Sequence, residues 1–373
     1  MKKIGMSEIA KLANVSIGTV GRALNGGGRI SKDTRERILK IAQRVGYKPN
    51  LAARALSLGR ARVRIGVCIP REIHYYFDQL RDGILGESQH YEDLGVQVIY
   101  RPTERLGLRE VATVSEFLND DLRALIITPG DPQGLIPIID EAESRNIRVI
   151  CVDTDAPASR RSSVVCLDAE LSGRLAADLM AKFAGPGSTV AVITGMVQVE
   201  HHRTSTQSFS DAYPQFCQGG EVIEVVEAHE DEDEAFQKCF DLLGRFKSLA
   251  GLYVTTVNCL PVCRAIVARG LSGRIRLITT DLFKEMVPYF KKGTVFASIY
   301  GQPYLLGAIA MRFAVDHIVR RRALPASHYL SPQIVMRSTY HIFREMLPSP
   351  EGDMGRDAQE LGRVVSVIEG GLL

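Results

Sequence analysis

The chain has no tryptophan, and only 7% of its 373 residues are aromatic, so one common stacking side chain is missing from any site it builds. Its seven cysteines (68, 151, 166, 217, 239, 259 and 263) form no CxxC pair. An odd, scattered set on strand and helix patterns reads as small buried hydrophobes, not as a disulfide frame or a zinc site. No apolar run reaches the roughly 18 residues a membrane-spanning helix needs, so no membrane partner is expected. The first residues, MKKIGMSEIAKLA, lack the apolar stretch of a signal peptide, and a cytoplasmic location is expected. HxxxH, HExxH, GxSxG, P-loop and GxGxxG patterns are all absent. No metal, no cofactor and no catalytic residues are therefore expected.

What is present is ordinary for a globular chain, at 45% hydrophobic and 24% charged residues. The length allows more than one domain. Met6 to Asn25, MSEIAKLANVSIGTVGRALN, reads as two short helices meeting at a tight turn. Ile9, Ala10, Leu12 and Ala13 make one small apolar face. Asn14 tolerates the left-handed backbone a turn needs. Ser16 stands where a helix N-cap belongs, and Val20, Ala23 and Leu24 recur at helical spacing. Two helices this short need a third to bury anything. Ser31 to Val45 supplies it, with Ser31 as cap, Ile38, Ile41, Ala42 and Val45 on one face, and Gly46 as terminator. The arrangement is a helix-turn-helix.

Charge points the same way. Residues 1–62 hold 14 Lys/Arg against 3 Asp/Glu, whereas the remainder holds 32 against 40, an asymmetry hidden by the overall +3. A basic head on an acidic body is the electrostatic footprint of a nucleic-acid-binding module.

The stretches IAKLANVSIGTVGRALN, ISKDTRERILKIAQRVGYKPN and NLAARAL resemble the N-terminus of the lac/gal repressor family of transcription regulators. The resemblance implies that the second helix enters the major groove with Ile17, Gly18 and Arg22 at base edges. Arg22 can bind guanine bidentately, and Ile17 favours a thymine methyl. Thr19, Asn25, Ser31 and Thr34 match positions that touch phosphate and set register; Ser16 and Asn50 complete the DNA-facing set. Gly21 departs from the family, which usually has serine there. By the same resemblance, residues 49–61 form a hinge helix that folds on operator DNA and pairs with its twin. Leu56 would wedge into the minor groove, and Ala53 would let the twin approach.

From Arg62 the pattern changes. RIGVCI, VQVIY, ALIIT, RVICVD, TVAVIT, EVIEVVE, LAGLYV, IRLITT and Gly293 to Ile299 alternate with helical stretches, the first near Leu80 to Tyr91. Alternation at this spacing argues for parallel sheets with helices on both faces, and the series runs twice. The expected architecture is a small all-α helix-turn-helix head (1–48), the hinge (49–61), a two-lobed α/β body of doubly wound parallel sheets (62–348) and a tail (349–373). Gly301 to Arg322 reads as a helix crossing back to the first lobe, and HYLSPQIVMRSTYHI as a last strand. The tail holds one candidate helix, Asp357 to Ile368, and His229 to Glu234 (HEDEDE) reads as a solvated helix start.

RIGVCIP, FDQLRDGI, ICVDTD, LITTD and ASIYGQPYLLG resemble the periplasmic sugar-binding-protein fold that the same family uses. The resemblance implies a ligand cleft at strand C-terminal ends. Tyr76 and Phe77 would stack on a sugar ring, and Asp153 and Asp281 would accept from its hydroxyls. Arg203, Thr256, Asn258 and Gln302 complete the candidate set, although Arg203 and Gln302 sit off the family spacing. The expected protein is a homodimeric repressor that binds near-palindromic operator DNA under control of a small sugar, polyol or sugar derivative. Two alternatives remain open: a sugar-acting enzyme with a DNA-binding head, for which Asp153, Asp155, Asp168 and the His201–His202 pair are the tempting groups, and a sensor of a non-sugar small molecule.

Overall fold

A computed structural model of the chain describes residues 6–25, 30–45 and 63–341. The hinge with Asn50, Ala53 and Leu56, the Gly46 terminator and the tail helix lie outside the described residues.

The head consists of α1 (Met6–Ala13), α2 (Ile17–Asn25) and α3 (Lys32–Arg44). Asn14 takes the left-handed backbone at φ 48°, as the turn requires. Ser16 Oγ accepts from the Thr19 amide at 3.1 Å, and Ser31 caps α3 through the Thr34 amide at 3.3 Å. Ile9, Ala10, Ala13, Val20, Ala23, Ile38 and Ala42 form the core. Leu12 does not join it and is 52% exposed.

The body begins with β1 (Val63–Cys68), α4 (His74–Gln89), β2 (Val96–Tyr100), α5 (Glu110–Glu116), β3 (Ala124–Ile127), α6 (Pro132–Ser144), β4 (Arg148–Val152) and β5 (Ser163–Leu167). It continues with α7 (Ala169–Ala184), β6 (Thr189–Thr194), α8 (Glu200–Phe216), β7 (Glu221–Glu227), α9 (Glu232–Arg245), β8 (Gly251–Val254), α10 (Leu260–Ala268), β9 (Arg276–Thr280), α11 (Val287–Lys292) and β10 (Val295–Tyr300). Last come α12 (Pro303–Arg320), β11 (His328–Leu330) and β12 (Gln333–Met336).

Two six-stranded sheets result, ordered β2-β1-β3-β4-β5-β11 and β7-β6-β8-β9-β10-β12. All pairs are parallel except β10–β12. The order is the same in both lobes, so each has its topological switch point beside its first strand. The helix near Leu80 starts six residues earlier than expected, at His74, which carries Tyr76 and Phe77 into its first turn. The expected last strand is two strands in different sheets. Pro332 between them has no N–H for a ladder, and there the chain changes lobe. α12 does return to the first lobe: it packs on α4 so closely that a Cβ at Gly83 would lie 1.9 Å from the Tyr304 carbonyl oxygen. All seven cysteines are free and buried.

Candidate functional site

The strand C-terminal ends of both lobes face one cleft. It encloses about 510 Å³ of empty space, counted out to solvent at its mouth. From the first lobe come Ile73, Tyr76, Phe77, Leu106, Asp153, Thr154 and Leu306. From the second come His201, His202, Glu230, Thr255, Val257, Thr280 and Asp281, with Leu167 and Gly301 at the crossings.

Asp153 and Asp281 occupy equivalent places, each directly after the fourth strand of its lobe. Both sit in left-handed backbone, at φ 71° and 61°. Each donates its amide to the neighbouring strand, Asp153 to Val165 O at 2.9 Å and Asp281 to Ile299 O at 2.8 Å. This bend turns each carboxyl off the sheet and into the cleft. Such strain in a non-glycine residue concentrates at functional sites. Tyr76 donates its hydroxyl to Asp153 Oδ1 at 2.5 Å, and the Gly301 amide donates to Asp281 Oδ1 at 2.9 Å.

Glu230 was hidden in the HEDEDE run. Only its C-terminal part is a solvated helix start: Asp231 caps α9 through the Asp233 and Glu234 amides. Glu230 itself, at φ 57°, turns inward and is 5% exposed. Thr256 donates its hydroxyl to this carboxyl, at 2.6 and 2.7 Å from its two oxygens. A Cβ at residue 195 would lie 1.8 Å from Glu230 Oε1, so Gly195 makes the room. The residue after β6 being glycine was the one available signal.

The histidine pair is not a surface pair. His202 is buried, and its Nδ1 accepts from the Met196 amide at 3.1 Å. That bond leaves the proton on Nε2, which lies 3.5 Å from Glu230 Oε1. Burial pulls His202 down to about 4 and His201 to about 3, so both rings are neutral at pH 7. Burial pushes all three acids up. Asp153 reaches about 7 against the lowering Tyr76 bond and with the Glu230 charge adding to the rise. Glu230 reaches about 7 against Thr256. Asp281 reaches about 8 against the Gly301 amide, with the Asp153 charge adding.

Of the eight residues expected at the ligand, Tyr76, Phe77, Asp153 and Asp281 line the cleft. Arg203 does not: its guanidinium pairs with Glu200 on the exposed side of α8. Thr256 stands behind Glu230 and holds it. Asn258 is buried outside the lining, and neither its amide oxygen nor its amide nitrogen has a hydrogen-bond partner among the described residues. Gln302 takes left-handed backbone at the start of α12 while its neighbour Gly301 lines the cleft.

Two of the three carboxylates that suggested catalysis have partners outside the cleft lining. Asp155 is held bidentately by Arg161, and Asp168 caps α7 through the Leu171 amide at 2.9 Å. Among the described residues no three His, Cys, Asp or Glu side chains converge to hold a metal ion, and no helix is long and apolar enough to cross a membrane.

The lobes touch around the cleft mouth. Arg105 bridges Glu72 of its own lobe, at 3.3 Å, and Asp231 of the other, at 3.1 Å. Leu106 packs on Met196 and Val199. Tyr75 meets Phe283 at 4.1 Å between ring centres, and Gln79 donates to Leu282 O at 3.3 Å.

In the head, Ser16, Ile17, Gly18 and Arg22 are exposed on one side of α2. Thr19 links them, with its hydroxyl 2.9 Å from Ser16 Oγ and accepting from Arg22 at 3.3 Å. Asn25 ends α2.

This geometry, two repeated lobes with strand-end carboxyls in the groove between them, has counterparts. Residues 65–321 match the periplasmic binding protein domain, and the chain belongs to that family. Its N-terminus, residues 5–50, matches the bacterial regulatory proteins of the lacI family. The chain is therefore a lacI-type head on a periplasmic-binding-protein body. It is 26% identical over 167 residues to the HTH-type transcriptional regulator DegA of Bacillus subtilis (strain 168), covering 44% of this chain and 48% of that protein. It is 23% identical over 269 residues to the ribose import binding protein RbsB of the same organism, covering 72% of this chain and 86% of that one. The matches to the first curated regulators span about a third to a half of their length. A solute binding protein from Burkholderia graminis C4D1M, in complex with D-arabinose, shares the fold with TM-score 0.69 at 19% identity, covering 74% of this chain and 96% of that one.

Proposed function

We propose that the protein is a homodimeric transcriptional regulator of repressor type, with operator affinity set by a small polyhydroxylated ligand in the cleft. Two heads read half-sites about one helical turn apart. Arg22, exposed and steadied by Thr19, reads a guanine; Ser16, Thr19, Ser31 and Thr34 meet phosphates. Gly18 contributes no side chain, so direct readout rests on Ile17 and Arg22. The observation that carries the body's role is the symmetric pair Asp153 and Asp281, one per lobe, bent by left-handed backbone into one cavity. A ligand gripping both acids stabilises the closed arrangement over the open one. It changes DNA affinity through that difference alone.

The test is selection of duplexes from a random pool by the full chain. The expected winners are near-palindromes whose enrichment changes when the cleft ligand is added. Arg22→Ala should lose the sequence preference and keep nonspecific binding, because phosphate contacts are sequence-blind. Winners without two-fold symmetry, or an Arg22→Ala protein with unchanged preference, would sink the reading. A sensor of a non-sugar molecule is the second reading, favoured by the exposed, Glu200-paired position of Arg203.

A further inference from the structure

The cleft is one-sided in charge. Among its described lining residues are three carboxyls, Asp153, Glu230 and Asp281, and no lysine or arginine. Arg203, the cation nearest in sequence to the lining histidines, is turned away toward Glu200, and Arg105 at the mouth is shared between Glu72 and Asp231. The two lining histidines bring no charge at pH 7: the Met196 amide fixes His202 as the Nε2–H tautomer, and burial lowers His201. With no counter-charge among the described lining residues, these three acids hold protons near neutral pH, and a cationic ligand is the partner that would let them ionise. An acidic sugar or a sugar phosphate would set its own anion against these carboxyls with no cation in the lining to meet it, and is disfavoured.

Resting on the reading of this cleft as the effector site, we propose that the effector is a polyhydroxylated ring bearing a protonated amine, an amino sugar or aminocyclitol. Its ammonium is held by Glu230 together with Asp153. Glu230 has acceptors to spare: Thr256 gives it one proton, His202 Nε2 is 3.5 Å away, and an ionised carboxylate offers about four lone-pair sites. The side of Asp153 not engaged by Tyr76 serves the same group. Asp281 remains the hydroxyl acceptor, and Phe77 and Tyr76 wall the ring's C–H face.

The experiment uses the full chain and isothermal titration with matched pairs that differ only in NH3+ for OH at one carbon: glucosamine and glucose, galactosamine and galactose, mannosamine and mannose. At least one amine should bind tenfold or more tighter than its hydroxyl partner, and its N-acetyl derivative should lose that advantage. In Glu230→Gln the amine-to-hydroxyl affinity ratio should fall toward one. Asp153→Asn gives the same readout if Glu230→Gln does not fold. A neutral hexose binding as tightly as its amine, with binding lost in Asp281→Ala, overturns this inference and leaves the sugar-cleft reading standing. No binding by any member of the panel also overturns this inference, and the reading of the cleft as an effector site is then decided separately by polyols and inositols, whose failure to bind as well would overturn it.

Discussion

One residue in the reading helix, Gly21, sets how firmly it is built. Gly21 sits mid-helix, where glycine costs up to about 1 kcal/mol relative to alanine. A Cβ there would meet nothing within 4 Å among the described residues, which place no packing demand on the glycine. Gly21→Ala should therefore stabilise α2 by about 0.5–1 kcal/mol. Amide exchange across Ile17–Asn25 in the full chain should slow by a corresponding two- to fivefold; unchanged or faster exchange would contradict it. At this scale the sequence was legible where one residue type has one physical use. Asn14 at a left-handed turn and Ser16 and Ser31 as caps are of that kind. It was not legible where a side chain's direction decides: Arg203 is three residues after Glu200, and that local pairing turns it out of the cleft. Glu230 was missed for the same reason, since five acidic neighbours and near neighbours in HEDEDE look alike until the backbone turns one of them inward.

At the scale of elements, the α4–α12 contact is the tightest joint of the first lobe. Gly83 faces the Tyr304 carbonyl at 1.9 Å from a would-be Cβ, and Gly307 faces the Leu80 carbonyl at 2.2 Å. Both contacts are to backbone, which cannot swing aside as a side chain could. Gly83→Ala should force the helices apart and destabilise the protein by about 1–3 kcal/mol, the usual range for overpacking. A shifted urea midpoint at constant slope would report it, and a midpoint equal to wild type would refute it. These glycines lie inside FDQLRDGI and ASIYGQPYLLG, so the resemblance pointed at them without giving their reason. The long buried strands were legible from their continuous apolar runs. β5 was not: SVVCL is short, follows a polar loop, and is fully buried only because the first lobe adds it beside β4. β11, three residues long, carries too little pattern to separate from β12.

The whole molecule should respond to pH through its buried acids. Burial holds Glu72, Glu110, Asp153 and Glu230 at about 7 and Asp281 at about 8. Unfolded, these groups ionise near ~4. Between those values the folded chain holds protons that the unfolded chain has released, so stability falls as pH rises through ~4 to ~8. His201 and His202, held at about 3 and 4, oppose this only below ~6.5, where an unfolded histidine takes up its proton. Above that only the acids act. The melting temperature of the ligand-free protein should drop between pH 6.5 and 8.5, and Asp281→Asn should flatten the drop; a rise would contradict burial as the force that keeps these acids protonated. The doubled strand order was visible at this scale as a repeated alternation of strand and helix, because both lobes obey one packing rule. The ion pair from Arg105 to Asp231 across the mouth was not, since it joins loops 126 residues apart.

The central claim is that Asp153 and Asp281, one from each lobe, close on a polyhydroxylated ligand. The most direct test is the melting temperature of the full chain against a panel of monosaccharides, amino sugars, polyols, inositols, sugar acids and sugar phosphates, run in parallel on Asp281→Ala. A ligand at a hundred times its dissociation constant stabilises by about 2.7 kcal/mol, a shift of a few degrees for a body this size. The account predicts at least one such shift among the hydroxylated neutral or amine-bearing compounds, absent in the variant. A folded wild type that none of these compounds stabilises, or a shift that survives in Asp281→Ala, would contradict it.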